Sequence, residues 1–349
     1  MKTEYLTKND IQRAAEILRS GGLVGIPTET VYGLGANGLN EQAVSDIFTA
    51  KGRPQDNPLI LHIPEASWLE RYCRDIPEAA WKLARAFWPG PMTMILPRKD
   101  LVPDAVTAGL ETVGIRCPDH HVCREIIRLA DVPVAAPSGN RSGRPSPTTA
   151  QHMLEDMDGR IDAIVDGGPC QVGVESTIID VTCNPPCLLR PGGVTLEQLK
   201  SVLGEVALDP AITRAMAAGE KPRAPGMKYR HYAPVAPVTV VAGDPGRCAA
   251  YIADHAAHND GVICFDEYIP LFQGPGMTRT VLGIGPAGDK EEQARRIFDA
   301  LRQFDHTGVP AIWTQCPDAL GLGLAISNRL NKAAGFHIIE VIEDAAYEV

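Results

Sequence analysis

The sequence predicts an α/β protein: one large domain with a partly mixed sheet, then a smaller α/β domain. Three observations carry this. Short apolar runs and segments of helical spacing follow each other in irregular order, which is the pattern of packed strands and helices. The stretch 208–237, containing APGMKYRHYAPVAP, is rich in Pro, aromatic and basic residues and reads as a linker. The length of 349 residues suits two or three domains with a sizeable core. The expected division is therefore 1–207, 208–237 and 238–349.

Taken in order, Ile11, Ala14, Ala15, Ile17 and Leu18 lie at helical spacing, and the helix over 10–20 stops at Gly21-Gly22. Residues 23–26 form a short buried strand, and 27–40 a polar, Gly-rich loop. A helix over 41–50 ends at Gly52. Strand 59–63 follows. The helix over 77–87 is halted by Trp88-Pro89-Gly90-Pro91. Residues 92–96 and 113–116 read as strands, 121–130 as a helix, and 132–136 as a strand entering PSGNRSGRPSPT. Next come a helix at 148–157, strands at 161–165, 176–181 and 187–190, and a helix at 195–203. Beyond the linker, strands at 238–242, 261–265 and 311–313 accompany helices at 290–304 and 323–334.

Composition narrows the function. The net charge of −10 argues against strong general nucleic-acid binding, although 206–237 carries five basic residues against two acidic ones. No apolar run of about 18 residues occurs, so no membrane span is expected. MKTEYLTKND lacks an apolar signal core, which points to the cytoplasm. The nine scattered cysteines include no C-x-x-C pair and read as free thiols. Cys117–Cys123 (CPDHHVC) offers Cys and His ligands, but the nearest second pair, Cys183–Cys187, is loosely spaced around two prolines, so free thiols are expected there rather than a structural zinc, and no protein-held metal.

No P-loop is present. A G-x-G-x-x-G run at Gly33, Gly35 and Gly38 does not directly join a strand to a helix, so it reads as a mobile loop needing positive φ rather than a dinucleotide site. Ser176 lacks the G-x-S-x-G elbow of a hydrolase nucleophile. Four polar clusters remain at the ends of expected elements: PTET (27–30), KGRPQDNP (51–58), SGN (138–140) and Arg190. Lys51 supplies a point charge and Arg53 a planar fork, which suits a triphosphate. Pro54 and Pro58 stiffen the loop, and Asn57 before Pro58 is held extended. SGNRSGRPSPT offers backbone N–H groups and small hydroxyls for an anion or ribose.

PTETVYGLG, KGRPQDNPL, GIRCP (114–118), APSGNRSG and VESTI together resemble the YrdC domain of L-threonylcarbamoyladenylate synthases. Lys51/Arg53 and Ser138/Asn140 match that family's marker. The linker and C-terminal block resemble the two-domain form, so the likeness spans nearly the whole chain. It implies a YrdC-like twisted mixed-sheet domain with a concave site and a smaller Rossmann-like C-terminal domain. It implies synthesis of threonylcarbamoyl-AMP and pyrophosphate from L-threonine, bicarbonate and ATP, with Mg2+ carried by ATP. A downstream transferase would then modify tRNA.

By the same resemblance, threonine would meet Arg116 through its carboxylate, with Thr30, His62, Ser176 and the backbone of Ala136 around it. ATP would lie across Lys51, Arg53 and Asn57, with Thr112, Ser138, Asn140, Ser146, Arg190 and Tyr232. Lys51 and Arg53 would carry the catalytic charge stabilisation. Glu29 and Glu175 would touch magnesium indirectly or orient neighbours. Lys228–Tyr232 would fold over the site as a lid. The competing reading is an RNA-binding module of the YrdC type.

Overall fold

The computed structural model describes residues 2–214, 222–225, 232–274, 278–342 and the backbone of 345–348. The chain divides into two compact units, Met1–Ser142 with Ser146–Lys228, and Gly143–Pro145 with Tyr229–Val349.

The first unit is built on eleven strands among the described residues: β1 (Glu4–Thr7), β2 (Val24–Ile26), β3 (Gly33–Asn37), β4 (Ile60–His62), β5 (Met92–Pro97), β6 (Thr112–Arg116), β7 (Val134–Ala135), β8 (Ala163–Asp166), β9 (Thr177–Asp180), β10 (Cys187–Arg190) and β11 (Ala207–Leu208). Their order in the sheet is β1-β8-β2-β3-β7-β4-β6-β5-β9-β10-β11. Parallel pairs such as β4/β6 alternate with antiparallel ones such as β5/β6, so the sheet is mixed, as expected. Helices form where apolar spacing and caps agree. Glu41–Lys51 is capped by Asn40, whose side chain accepts the Ala43 N–H, and closes at Gly52 with φ +63.

Three expectations need revision. The loop over 27–40 contains strand β3, paired with β2 and β7. Gly33, Gly35 and Gly38 are not in positive φ; they are glycine because a Cβ there would crowd the next strand. At Gly38 it would lie 2.4 Å from Leu61 Cδ2 and 2.9 Å from the Pro133 carbonyl. The start of the linker also belongs to the first sheet. β11 pairs with β10, Ala211 and Ala224 pack on Ile60, Ile95 and Ile178, and Arg223 bridges Asp180 and Asp209 at 3.2 and 2.6 Å.

The second unit carries β12 (Val238–Gly243), β13 (Gly261–Cys264), β14 (Thr280–Gly283), β15 (Ile312–Cys316), β16 (Ile338–Ile342) and β17 (Ala345–Glu348), in the order β14-β13-β15-β12-β16-β17. All pairs are parallel except β16/β17. Val241, Val262 and Cys264 pack against Cys248, Ala249 and Ile252 of the helix Pro245–His255. That helix escaped the sequence reading, as did β14 and β16. Among the described residues no helix is long and apolar enough to cross a membrane.

Candidate active site

The expected site residues gather around the middle of the first sheet. His62 and Arg116 are directly paired at the ends of β4 and β6, and Thr93 of β5 faces Arg116 from the other side. β9 runs parallel to β5, with Thr177 opposite Met92, which places Ser176 just before the strand. The Ser176 hydroxyl meets Thr93 Oγ1 at 2.8 Å and accepts from Arg190 Nη2 at 3.1 Å. Arg190 also donates to the Ser176 carbonyl at 3.0 and 2.9 Å and to the Pro225 carbonyl at 3.3 Å. Arg116 and Arg190 thus flank a pair of buried hydroxyls.

The segment PTETVYG ties this cluster to the others. Glu29 Oε2 lies 2.8 Å from Arg116 Nη2, with both side chains buried. Thr30 Oγ1 meets Thr28 Oγ1 at 2.9 Å. Val172 N–H donates to the Glu29 carbonyl, Tyr32 N–H to Pro147, and Gly139 N–H to Tyr32. Gly33 bridges Ser138. Lys51, the last helical residue of Glu41–Lys51, is buried and donates from Nζ to the carbonyls of Ser138 and Asn140, both at 2.5 Å. Its ammonium shapes the SGN loop directly. Ala136 N–H donates to the Ile60 carbonyl, so this residue presents backbone and a methyl group only.

Other placements differ in detail. Thr112 shares a face of β6 with Arg116 but stands four residues away, about 13 Å along the strand. Ser146 Oγ donates to Glu175 Oε1 at 2.6 Å. Asn57 is fully buried; its amide nitrogen donates to Asp56 at 3.0 Å, and its amide oxygen accepts no hydrogen bond from any described residue. Arg53 is half-buried just after Gly52. Tyr232 lies in the second unit, its ring 5.2 Å from that of Phe298 and under the Arg329 guanidinium. Lys228, Tyr229, Arg230 and His231 lie outside the described residues.

Burial sets the protonation of the neighbours. Desolvation, and then the Arg116 charge, push His62 down to about 3, so the imidazole is neutral at physiological pH. Desolvation also lowers His120 and raises Cys117 to about 12. Sequence reasoning missed Thr93, Thr28 and His120. A lone Thr inside the apolar MTMIL was the available signal for Thr93.

Glu29 is spoken for by Arg116 and Glu175 by Ser146, and no group of three His, Cys, Asp or Glu side chains among the described residues is placed to hold a metal ion. What the first unit offers is two buried guanidiniums, those of Arg116 and Arg190, beside small hydroxyls and adjoining a lysine-organised loop. That arrangement can bind a small carboxylate beside a larger polyanion.

A family model described as telomere recombination, covering Sua5, YciO and YrdC proteins, matches residues 16–192. A second, for the C-terminal domain of threonylcarbamoyl-AMP synthase, matches 194–335. The chain is 48% identical over 347 residues to the threonylcarbamoyl-AMP synthase of Pyrococcus abyssi, covering 97% of this chain and 98% of that one. It is 46% identical over 342 residues to the Bacillus subtilis enzyme of the same name, covering 97% of each. The solved structure of P. abyssi Sua5 complexed with L-threonine superposes with a TM-score of 0.87 at 44% identity, covering 98% of this chain and all of that one. A double variant of P. abyssi Sua5 gives a TM-score of 0.90 at 45% identity, covering 97% and 98%. The chain belongs to the threonylcarbamoyl-AMP synthase family.

Proposed function

We propose, from that membership and from the geometry of the first unit, how this synthase makes threonylcarbamoyl-AMP. It is a nucleotidyltransferase that acts on L-threonine and ATP; bicarbonate supplies the added carbon, and pyrophosphate leaves. The observation that carries the residue assignment is the Arg116 guanidinium. It is buried and paired with Glu29 through Nη2 at 2.8 Å, while its Nε makes no hydrogen bond to any described residue, so a donor for a carboxylate stands ready in a site lined by hydroxyls.

The threonine carboxylate pairs with Arg116. Thr30 and Ser176 hold the rest of the amino acid, Ala136 contributes backbone, and the neutral His62 packs beside it. ATP lies along Lys51, Arg53, Asn57, Thr112, Ser138, Asn140, Ser146 and Arg190. Magnesium enters on the triphosphate. The deprotonated amine attacks the carbon of carbon dioxide, releasing a proton, or of bicarbonate, releasing water, to give an N-carboxylate. That carboxylate attacks the α-phosphate, and pyrophosphate departs in line. No enzyme nucleophile is required. Lys51 and Arg53 neutralise charge on the phosphates as the bond changes.

The test is to incubate the full chain with ATP and bicarbonate, supply each amino acid in turn, and follow pyrophosphate. L-threonine alone is expected to give sustained release that depends on bicarbonate. Release with every amino acid, or with none, refutes the reading. The full-length likeness to synthases favours this enzyme over an RNA-binding module.

A further inference from the structure

We propose that Glu29 makes the amino-acid subsite require the α-ammonium group of its substrate, so that the Glu29–Arg116 pair receives a zwitterion pole to pole. This rests on the assignment of the substrate carboxylate to Arg116. Glu29 is 4% exposed and its Oε2 lies 2.8 Å from Arg116 Nη2, yet neither carboxylate oxygen accepts a hydrogen bond from any described residue. Arg116 Nε and Nη2 share that condition. A pair kept only to hold the fold together normally saturates its remaining donors and acceptors. Beyond that Nη2–Oε2 contact, one buried nitrogen that donates, Arg116 Nε, and one buried oxygen that accepts, Glu29 Oε1, are left over. An α-amino acid presents the complementary set, a carboxylate and an ammonium.

The surrounding charges point the same way. His62 and His120 are held towards their neutral forms, chiefly by burial. Burial also keeps the thiols of Cys117, Cys123 and Cys170 protonated. The Glu29–Arg116 pair sums to zero by itself, and Arg190 is bonded to the Ser176 carbonyl and hydroxyl. A ligand with a carboxylate and no ammonium would set two carboxylates against one guanidinium in a dry site, where like charges repel strongly. A zwitterion brings its own cation and leaves the balance unchanged. The Glu29 backbone is pinned as well, because its carbonyl accepts the Val172 N–H at 2.8 Å.

The experiment uses two ligands that share the carboxylate and the β-hydroxyl but differ at the α-position: L-threonine and (R)-3-hydroxybutyrate. Each is titrated calorimetrically into full-length wild type, Glu29→Gln and Glu29→Asp. The wild type is expected to prefer threonine by about 100-fold or more, the scale of one buried charge contact. Glu29→Gln narrows that ratio by about tenfold or more, because threonine weakens while the hydroxy acid meets an Arg116 without its counter-charge. Glu29→Asp keeps the charge and the preference. If Glu29 only props Arg116, both ligands weaken together in Glu29→Gln and the ratio stays at its wild-type value, which overturns the proposal. The wild type decides without any variant, too: equal affinity for both ligands overturns it even if Glu29→Gln does not fold. Failure of threonine to bind while another amino acid binds would instead remove the threonine reading. The Glu29 proposal would then be decided with that amino acid and its deamino analogue.

Discussion

Gly192→Ala is the sharpest test of how the fold positions the site. A Cβ at residue 192 would lie 2.3 Å from the Glu175 carbonyl oxygen, 2.3 Å from the Thr177 nitrogen and 2.4 Å from the Ser176 carbonyl carbon. All three are backbone atoms, so no side chain can swing aside. Gly192 does not occupy positive φ, which makes the effect steric rather than conformational. Restoring ordinary contact requires the two segments to separate by about 1 Å, and overpacking of this kind costs about 1–3 kcal/mol. The peptide that must move carries Ser176, whose hydroxyl is bonded to Thr93 and Arg190. A displacement of about 1 Å in a positioning group lowers turnover about 10²-fold. The assay is pyrophosphate release at saturating threonine and ATP, alongside thermal unfolding. The reasoning predicts a melting temperature lower by several degrees together with the rate loss. A variant within threefold of the wild-type rate and within a degree in melting would refute it.

The remaining predictions concern charge. Arg116→Met leaves Glu29 buried without its partner and should cost about 3–5 kcal/mol in urea unfolding. Adding Glu29→Leu should recover most of that loss, and a double variant no more stable than the single one contradicts the pairing. His62 has a folded-state value of about 3, below its ordinary 6.5, so the unfolded chain takes up the proton first. Its contribution is complete above about pH 6.5 and is lost as the pH falls towards 3, at up to about 1.4 kcal/mol per unit. Between pH 7 and pH 5 the wild type should lose about 2 kcal/mol relative to His62→Gln; parallel pH profiles would exclude a buried neutral imidazole. Lys51→Ala should lower pyrophosphate release by about 10²–10³. A rate near that of the wild type would take Lys51 out of the mechanism.

Local signals were legible and long-range ones were not. The helix over 290–304 reads directly from spacing, and Gly52 marks the end of Glu41–Lys51 because only a left-handed cap fits there. β3 was hidden because GLGAN has no alternating apolar face; its glycines answer to the crowding of neighbouring strands. Pro245–His255 was hidden because Pro and Gly at its start resemble a loop, yet Pro at the first turn and the Asp244 cap are what begin it. In the site, the cations and hydroxyls stood out as clusters. Their pairings did not, since Thr93 and Ser176 are 83 residues apart and meet only because β5 lies between β6 and β9.

A single spacing also shows why a motif needs its surroundings. G-x-G-x-x-G occurs twice, at Gly33, Gly35 and Gly38 and again at Gly283, Gly285 and Gly288. The first runs through β3 to Gly38 just beyond it, where the glycines admit close packing. The second joins β14 to the helix Lys290–Phe304, the setting in which such a run cradles phosphates. There, however, the Gly285 N–H donates to Asp266 at 3.0 Å and the Ala287 N–H to Glu267 at 3.0 and 3.1 Å. The protein's own carboxylates hold the amides that a phosphate would need, and they would repel it. In the proposed reading the chemistry gathers instead around Lys51 and Arg116, where cations meet carbonyls, hydroxyls and the Glu29 carboxylate. Residue type and what already satisfies each donor decide function; spacing only proposes it.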